Sequence, residues 1–220
     1  MPIAYNYILQ SYIYSLMSPD TQEKVHNQGY LYEGLPFRLF NFSRLLGKYQ
    51  IKGQRIEFRD GFIVYISSPV ESLIQEISNN ILTRPGQISN NPLELNSIEA
   101  IPYKASDVIR MLSPVLIAKN TFEKTEYISP WDENFNELIN INLKKKYYLT
   151  HKKEYSGQPV AITPFTPHKK HIQVVKYKNT THTAWGGQYL ISGGAELLEV
   201  AYNTGIGQKN AQGFGMFEFI

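Results

Sequence analysis

Apolar residues recur at helical spacing near the start of the chain. Ile8, Leu9, Tyr12, Ile13, Leu16 and Met17 form one stripe and predict an amphipathic helix over 7–17. Ser18 and Pro19 then end that helix and open another, because Ser18 suits an N-cap, Pro19 the first helical position and Gly29 a C-terminal stop. His26 falls in the last turn of this second helix. Apolar and polar residues alternate over 37–45, as in a strand, and 55–58 with 62–66 read as a hairpin around Asp60-Gly61. Ser68-Pro69-Val70-Glu71 has the spacing of a capping box and opens a helix to about Leu82, with Leu73, Ile74, Ile77 and Ile81 on its apolar face. Residues 83–92 read as loop and 93–103 as extended chain.

The second half repeats this plan. Residues 108–118 predict a strand broken near Ser113-Pro114, and Ser129-Pro130-Trp131-Asp132 caps a helix running to roughly Tyr147. Extended segments follow at 160–164, 172–177 and 184–191, then a helix from Ala195 and a final strand over 216–220. Two successive mixed units predict an α+β protein with two ferredoxin-like domains, 1–105 and 106–220, joined near Lys104 to Asp107. No sequence repeat links the halves, so the duplication rests on the pattern.

Between the last helix and the last strand lie Gly205-Ile206-Gly207 and Gly213-Phe214-Gly215, bracketing a polar stretch with one lysine, Lys209. Glycines admit positive φ and close backbone approach, so such a loop can cradle phosphates on its amides. A dinucleotide fingerprint is excluded by order: it needs a strand before the glycines and a helix after, and here the helix comes first. Four glycines exceed what a simple turn requires.

The chain has 220 residues, 42% of them hydrophobic, with 12 prolines and no cysteine. This is enough for a sizeable core, and no apolar run reaches membrane-spanning length. No disulfide framework or thiolate metal site is available, the start lacks the pattern of a signal peptide, and a cytoplasmic protein is expected. Charge adds more. Residues 144–178 hold nine lysines against one acid, Glu154, a local excess of +8 within a net charge of +3 that leaves −5 elsewhere. A solvated lysine face would read the same way. Interleaving with Tyr147, Tyr148, His151, Tyr155, His168, His171 and Tyr177 favours nucleic acid, since lysines meet phosphates while aromatics stack on bases.

The run from Tyr202-Asn203-Thr204 through the glycines to Met216 resembles the C-terminal glycine-rich loop of the Cas-six family, endoribonucleases that process CRISPR repeat RNA. Three further segments match in the same order: 7–14 in the first helix, Arg38-Leu39-Phe40-Asn41-Phe42-Ser43 in the next strand and Leu112-Ser113-Pro114-Val115 at the domain junction. The resemblance spans nearly the whole chain. It implies tandem ferredoxin-like or RRM-like domains that bind one repeat of a precursor transcript and cut it once without metal or cofactor, leaving a 2′,3′-cyclic phosphate and a 5′-hydroxyl. It also implies that the active site lies near the first two helices, facing the glycine loop. The family's histidine corresponds to His26, its first-helix tyrosine to Tyr14 and its strand lysine to Arg38, where arginine is a departure.

The chemistry of cyclic phosphate formation suits this set. A 2′-hydroxyl must lose a proton, the phosphate charge must be stabilised and the leaving 5′-oxygen must gain a proton. His26 can transfer a proton near neutrality, and at a helix C-terminus its cationic form is favoured, which suits an acid or a phosphate contact. Tyr14 needs positive neighbours to act as a base. Arg38 can grip a phosphate with two parallel bonds. The residues alone leave each a plain reading too: a surface histidine closing a helix, a helix residue with a polar tip, an outward strand residue.

Lys209 is the foremost expected RNA contact, in a loop shaped by Gly205, Gly207, Gly213 and Gly215, with Asn210 expected to fix the loop internally as well as to border the RNA. His168, Lys169, Lys170 and His171 form a second candidate surface. No metal site is expected, because the two histidines have no acidic or cysteine partner nearby. His151 and His182 have nothing beside them in sequence to single them out. The family begins with a strand of about ten residues before its first helix, whereas this sequence starts almost at the helix. Either the start is trimmed or the first domain lacks its edge strand, and an open edge could pair with a second copy. The expected partners are repeat RNA, an effector complex and a second copy of the chain. A family member that binds repeat RNA without cutting it well is the alternative reading.

Overall fold

A computed structural model of the chain describes every residue except 85, 121–123 and 166–170. Its first half contains α1 (Asn6–Ser15), α2 (Pro19–Gln22), which runs straight into a π-helical turn (Glu23–Gln28), and then β1 (Tyr30–Tyr32), β2 (Leu35–Phe37), β3 (Asn41–Phe42), β4 (Tyr49–Lys52), β5 (Arg55–Phe58) and β6 (Ile66–Ser67). After these come α3 (Glu71–Thr83), β7 (Gly86–Ile88) and β8 (Asn91–Leu93). The second half holds β9 (Val108–Met111), β10 (Ala118–Asn120), β11 (Thr125–Tyr127), α4 (Phe135–His151), β12 (Ala161–Pro164), β13 (Ile172–Tyr177), β14 (Thr180–Trp185), β15 (Gln188–Ser192), α5 (Ala195–Thr204), a short 3₁₀ turn (Asn210–Gln212) and β16 (Phe217–Phe219).

The architecture is α+β, two ferredoxin-like units in tandem. In the second, an antiparallel sheet has the order β12-β15-β9-β16. The apolar stripes of α4 (Ile139, Leu143, Tyr147) and α5 (Leu197, Val200, Ala201) share one core with Ile109, Ile162, Tyr189 and Phe217 of that sheet. In the first unit, Leu9 and Ile13 of α1 and Leu73 and Ile77 of α3 pack with Phe40, Phe42 and Ile56. Ala211 belongs to this first core although it lies in the glycine loop of the second unit. The loop is therefore a wedge between the halves.

Residues 1–3 supply a short edge: Ile56 N donates to Met1 O at 2.9 Å and Ile3 N to Gln54 O at 3.1 Å. Arg55 thus faces Lys52 on one side and Pro2 on the other.

Ser18 caps α2 as expected, its hydroxyl accepting from Thr21 N at 3.3 Å, with Pro19 at the first helical position. Other local signals were overridden. The expected hairpin at Asp60-Gly61 forms one turn earlier, where β5 pairs with β4 across Gly53, while Ile63 returns to Leu46 and Ile66 pairs with Phe42. Gly53 and Gly61 both take positive φ, so either can turn the chain. Pairing Ile66 with Phe42 packs it against the first core, a benefit no local signal carries. Ser68 does not cap a helix end, because its hydroxyl donates to Leu39 O at 2.6 Å and accepts from Val70 N at 3.0 Å. Similarly, α4 starts at Phe135, after a turn in which Asp132 Oδ1 accepts from Asn134 N at 2.9 Å. The expected loop at 83–92 contains the β7-β8 hairpin, and most of 93–103 forms no regular element. The single strand expected over 184–191 is parts of β14 and β15, separated by Gly186 and Gly187.

Candidate active site

Helix α1 presents Asn6, Gln10 and Tyr14 to the second unit, spaced four apart and so aligned on one face. Asn6 Nδ2 donates to Gln212 O at 2.9 Å, and Gln10 Nε2 donates to Ala211 O at 2.5 Å. Gln10 Oε1 accepts from the Tyr177 hydroxyl of β13. These bonds dock the glycine loop onto α1 and leave a cleft of ≈ 580 Å³ between the halves. Tyr14, His26 and Arg38 line it from the first half; Lys146, Tyr177, Lys178 and Lys209 line it from the second. The three expected catalytic residues and the expected loop lysine thus face one space.

His26 sits in the π-helical turn, which closes when Gly29 N donates to Lys24 O at 2.8 Å. Gly29 has φ of 71°, and a side chain there would press on Phe37 O, so the turn ends tightly against the next strand. The imidazole is exposed, edge-on to the Tyr14 ring with centroids 4.7 Å apart. Its Nδ1 lies 2.7 Å from Asn27 Oδ1, and the Asn27 amide in turn donates to the Glu23 carboxylate. That chain makes Nδ1 the protonated nitrogen and leaves Nε2 for other work. Arg38 Nη2 donates to His26 O at 2.6 Å and Nη1 to Pro36 O at 3.4 Å, so the guanidinium braces the backbone that carries the histidine.

Tyr14 is buried between His26 and Phe40. Burial pushes its hydroxyl up to about 12, outweighing the opposing field of Arg38, with Tyr177 adding to the rise. A tyrosinate is therefore scarce at neutral pH, and the phenol serves as a donor.

The glycine loop is closed by bonds within itself and to residues 114–116. Ile206 N donates to Gly215 O, Gln208 N to Leu116 O, Gly213 N to Asn210 O and Gly215 N to Pro114 O, all at 2.8–2.9 Å. All four glycines are buried and have positive φ. Asn210 is buried too: its Nδ2 donates to Ile206 O and Phe214 O at 3.1 and 3.0 Å. These five residues shape the loop, and Lys209, exposed with φ of 57°, is what the loop offers outward. Lys169 and Lys170, with His168, lie outside the described residues.

Several cleft residues escaped the sequence reading. Gln10 was overlooked although Asn6, Gln10 and Tyr14 mark a polar line on α1. Lys146 is one of the nine lysines of 144–178, yet it lies seven residues from Ile139 and three from Leu143, in phase with the buried stripe of α4. His182 also gains a setting: it is buried, 3.0 Å from the Tyr127 hydroxyl, and lines a second cavity of ≈ 320 Å³ beside Lys209. Burial and the Lys209 charge hold its pKa below the usual value. His151 stacks on Tyr147 at 4.1 Å. Among the described residues no group of three or more His, Asp or Glu is placed to hold a metal ion, and no helix is long and apolar enough to cross a membrane.

Residues 98–219 match the family described as CRISPR associated protein Cas6, C-terminal. Over 98% of its length the chain is 26% identical to the CRISPR-associated endoribonuclease Cas6 1 of Methanocaldococcus jannaschii, covering 86% of that protein. It is 24% identical to the CRISPR-associated endoribonuclease Cas6 of Pyrococcus furiosus, again over 98% of this chain and 82% of the relative. The fold matches a solved structure described as a Cas6-related gene from Pyrococcus furiosus, with a TM-score of 0.83 at 22% identity, covering 100% of this chain and 92% of that one.

Proposed function

The match over 98–219 makes this chain a member of the Cas6 family, and on that footing we propose that it is an endoribonuclease that cuts CRISPR precursor RNA once within each repeat, without metal, by attack of a 2′-hydroxyl on the adjacent phosphate. The observation that carries this reading is the convergence of His26, Tyr14, Arg38 and Lys209 on one cleft between the halves. In this reading the domains are 1–105 and 106–220, the first supplying the catalytic side chains and the second the loop that faces them.

In this mechanism His26 Nε2 takes the proton from the 2′-hydroxyl as the new P–O bond forms, the Asn27 contact at Nδ1 holding the ring in the required tautomer. Tyr14, protonated up to about 12, gives its proton to the 5′-oxygen as the P–O bond to it breaks, and solvent then returns a proton to Tyr14 and takes one from His26. The products carry a 2′,3′-cyclic phosphate and a 5′-hydroxyl. Lys209 meets phosphate charge, and Arg38 adds positive field while bracing His26. The cation-rich cleft suits RNA and, after cleavage, retention of the product for an effector complex.

The deciding experiment is cleavage of a labelled repeat RNA from the host's own array, in EDTA, by wild type and His26→Ala. Cutting at a single position that survives EDTA and falls by about 10²- to 10⁴-fold in the variant supports the mechanism. RNA that stays intact while bound tightly by wild type refutes it in favour of a binding-only family member.

A further inference from the structure

Lys146 lines the cleft but has no part in the mechanism above. The residue is 3% exposed, yet it is among those that line the cleft. Nζ donates to Gly205 O at 2.8 Å, Gly207 O at 3.1 Å and Asn210 Oδ1 at 2.7 Å. A neutral amine has two hydrogens and a lone pair, so it satisfies two of these acceptors and turns its lone pair toward the third. Three acceptors call for the ammonium form. Every partner is an uncharged dipole, and no carboxylate lines the cleft among the described residues.

Resting on the functional reading above, we propose that Lys146 is a positioning residue for RNA: its buried ammonium draws the glycine loop inward so that Lys209 faces the cleft, and an RNA phosphate supplies the counter-charge that the described residues of the cleft lack.

Two opposing terms make this more than a structural pin. Removing an ammonium from water without an anion is costly, and burial lowers the Lys146 pKa to about 7. The titratable and charged groups that share the cleft with it bring no carboxylate: they are Tyr14 on α1, His26 on the π-helical turn, Arg38 beyond β2, Tyr177 and Lys178 at the end of β13 and Lys209 on the loop. An RNA phosphate favours the charged form. Binding above neutral pH is then coupled to proton uptake at Lys146, and affinity falls as pH rises through the pKa of the free protein, by up to about tenfold per pH unit.

The test has two arms. In the first, protein carrying ¹³C-labelled lysine is titrated by NMR, the Lys146 signal being the one absent from Lys146→Met or Lys146→Gln. The expected result is a midpoint near neutrality, well apart from the other lysines, that moves up by at least about one unit when RNA is added. In the second, binding of the repeat RNA is measured across about pH 6–9 for His26→Ala and for His26→Ala with Lys146→Met, so that the RNA is not cut and both proteins lack the imidazole. The double variant should bind about tenfold more weakly below neutrality and lose most of the pH dependence. A Lys146 signal that titrates with the surface lysines or ignores RNA overturns the proposal, as does an unchanged affinity and pH profile in the double variant. A parent protein that binds repeat RNA no better than unrelated RNA refutes the functional reading instead. The NMR arm, run with that unrelated RNA as the polyanion, still decides Lys146.

Discussion

Gly215→Ala and Gly34→Ala separate the effect of backbone conformation from that of space. Both glycines have φ of 78°. A methyl group at Gly34 meets nothing within 4 Å, so its cost is that of the left-handed conformation, about 1–2 kcal/mol. The same methyl at Gly215 would overlap Ile206 O and lie 2.7 Å from Asn210 Nδ2. The overlapped atom is backbone, so the two arms of the loop must part. That movement breaks the bond from Ile206 N to Gly215 O at 2.8 Å and those from the Asn210 amide to Ile206 O and Phe214 O. Buried groups left without partners cost about 1–3 kcal/mol for each of the three bonds, which with the conformational cost brings the total to about 4–11 kcal/mol. Thermal unfolding followed by circular dichroism reads the difference. At about 2–4 °C per kcal/mol for a chain of this size, Gly34→Ala should lower Tm by about 2–8 °C and Gly215→Ala by at least twice as much. Equal shifts would refute the picture of a loop closed on itself.

Tyr14→Phe should slow repeat RNA cleavage yet leave the shape of the pH–rate profile unchanged between about pH 5 and pH 9, because a phenol raised to about 12 does not titrate there; a lost limb near neutrality would assign Tyr14 a base role. Lys209→Ala should weaken RNA binding and lower the slope of log affinity against log salt by about 0.7–0.9, the loss of one phosphate contact. An unchanged slope would move the contact elsewhere. Gln10→Ala strips the Ala211 carbonyl and the Tyr177 hydroxyl of their shared partner, so it should cost about 2–4 kcal/mol in urea unfolding and speed hydrogen exchange in the glycine loop. Loss of stability without faster exchange in the loop would argue against docking through α1.

Much of the site could be read from the chain because its parts are local. Ser18-Pro19 fixes where α2 begins, four of the five positive-φ positions of the loop are glycine, and the apolar stripes locate α1 and α3. What misled was also local. Ser68 carried a helix-capping pattern but found Leu39 O across the first unit, and Gly61 carried a hairpin signal that lost to Gly53. In both cases a partner distant in sequence offered burial that propensity does not register.

The sequence by itself determined the α+β plan, the helices that bear Tyr14 and the histidine turn, the glycine loop with its single lysine, and the resemblance that pointed to RNA cleavage. Only the tertiary structure decided that Ala211 lies in the core of the opposite half, that Gln10 fastens the loop, that Arg38 braces His26 and that Lys146 is buried beneath the glycines. Helical and strand periods depend on neighbours a few residues apart, and so they are written in the sequence. Burial of a charge and the docking of a loop depend on which distant surfaces meet, and that is settled when the two cores pack against each other.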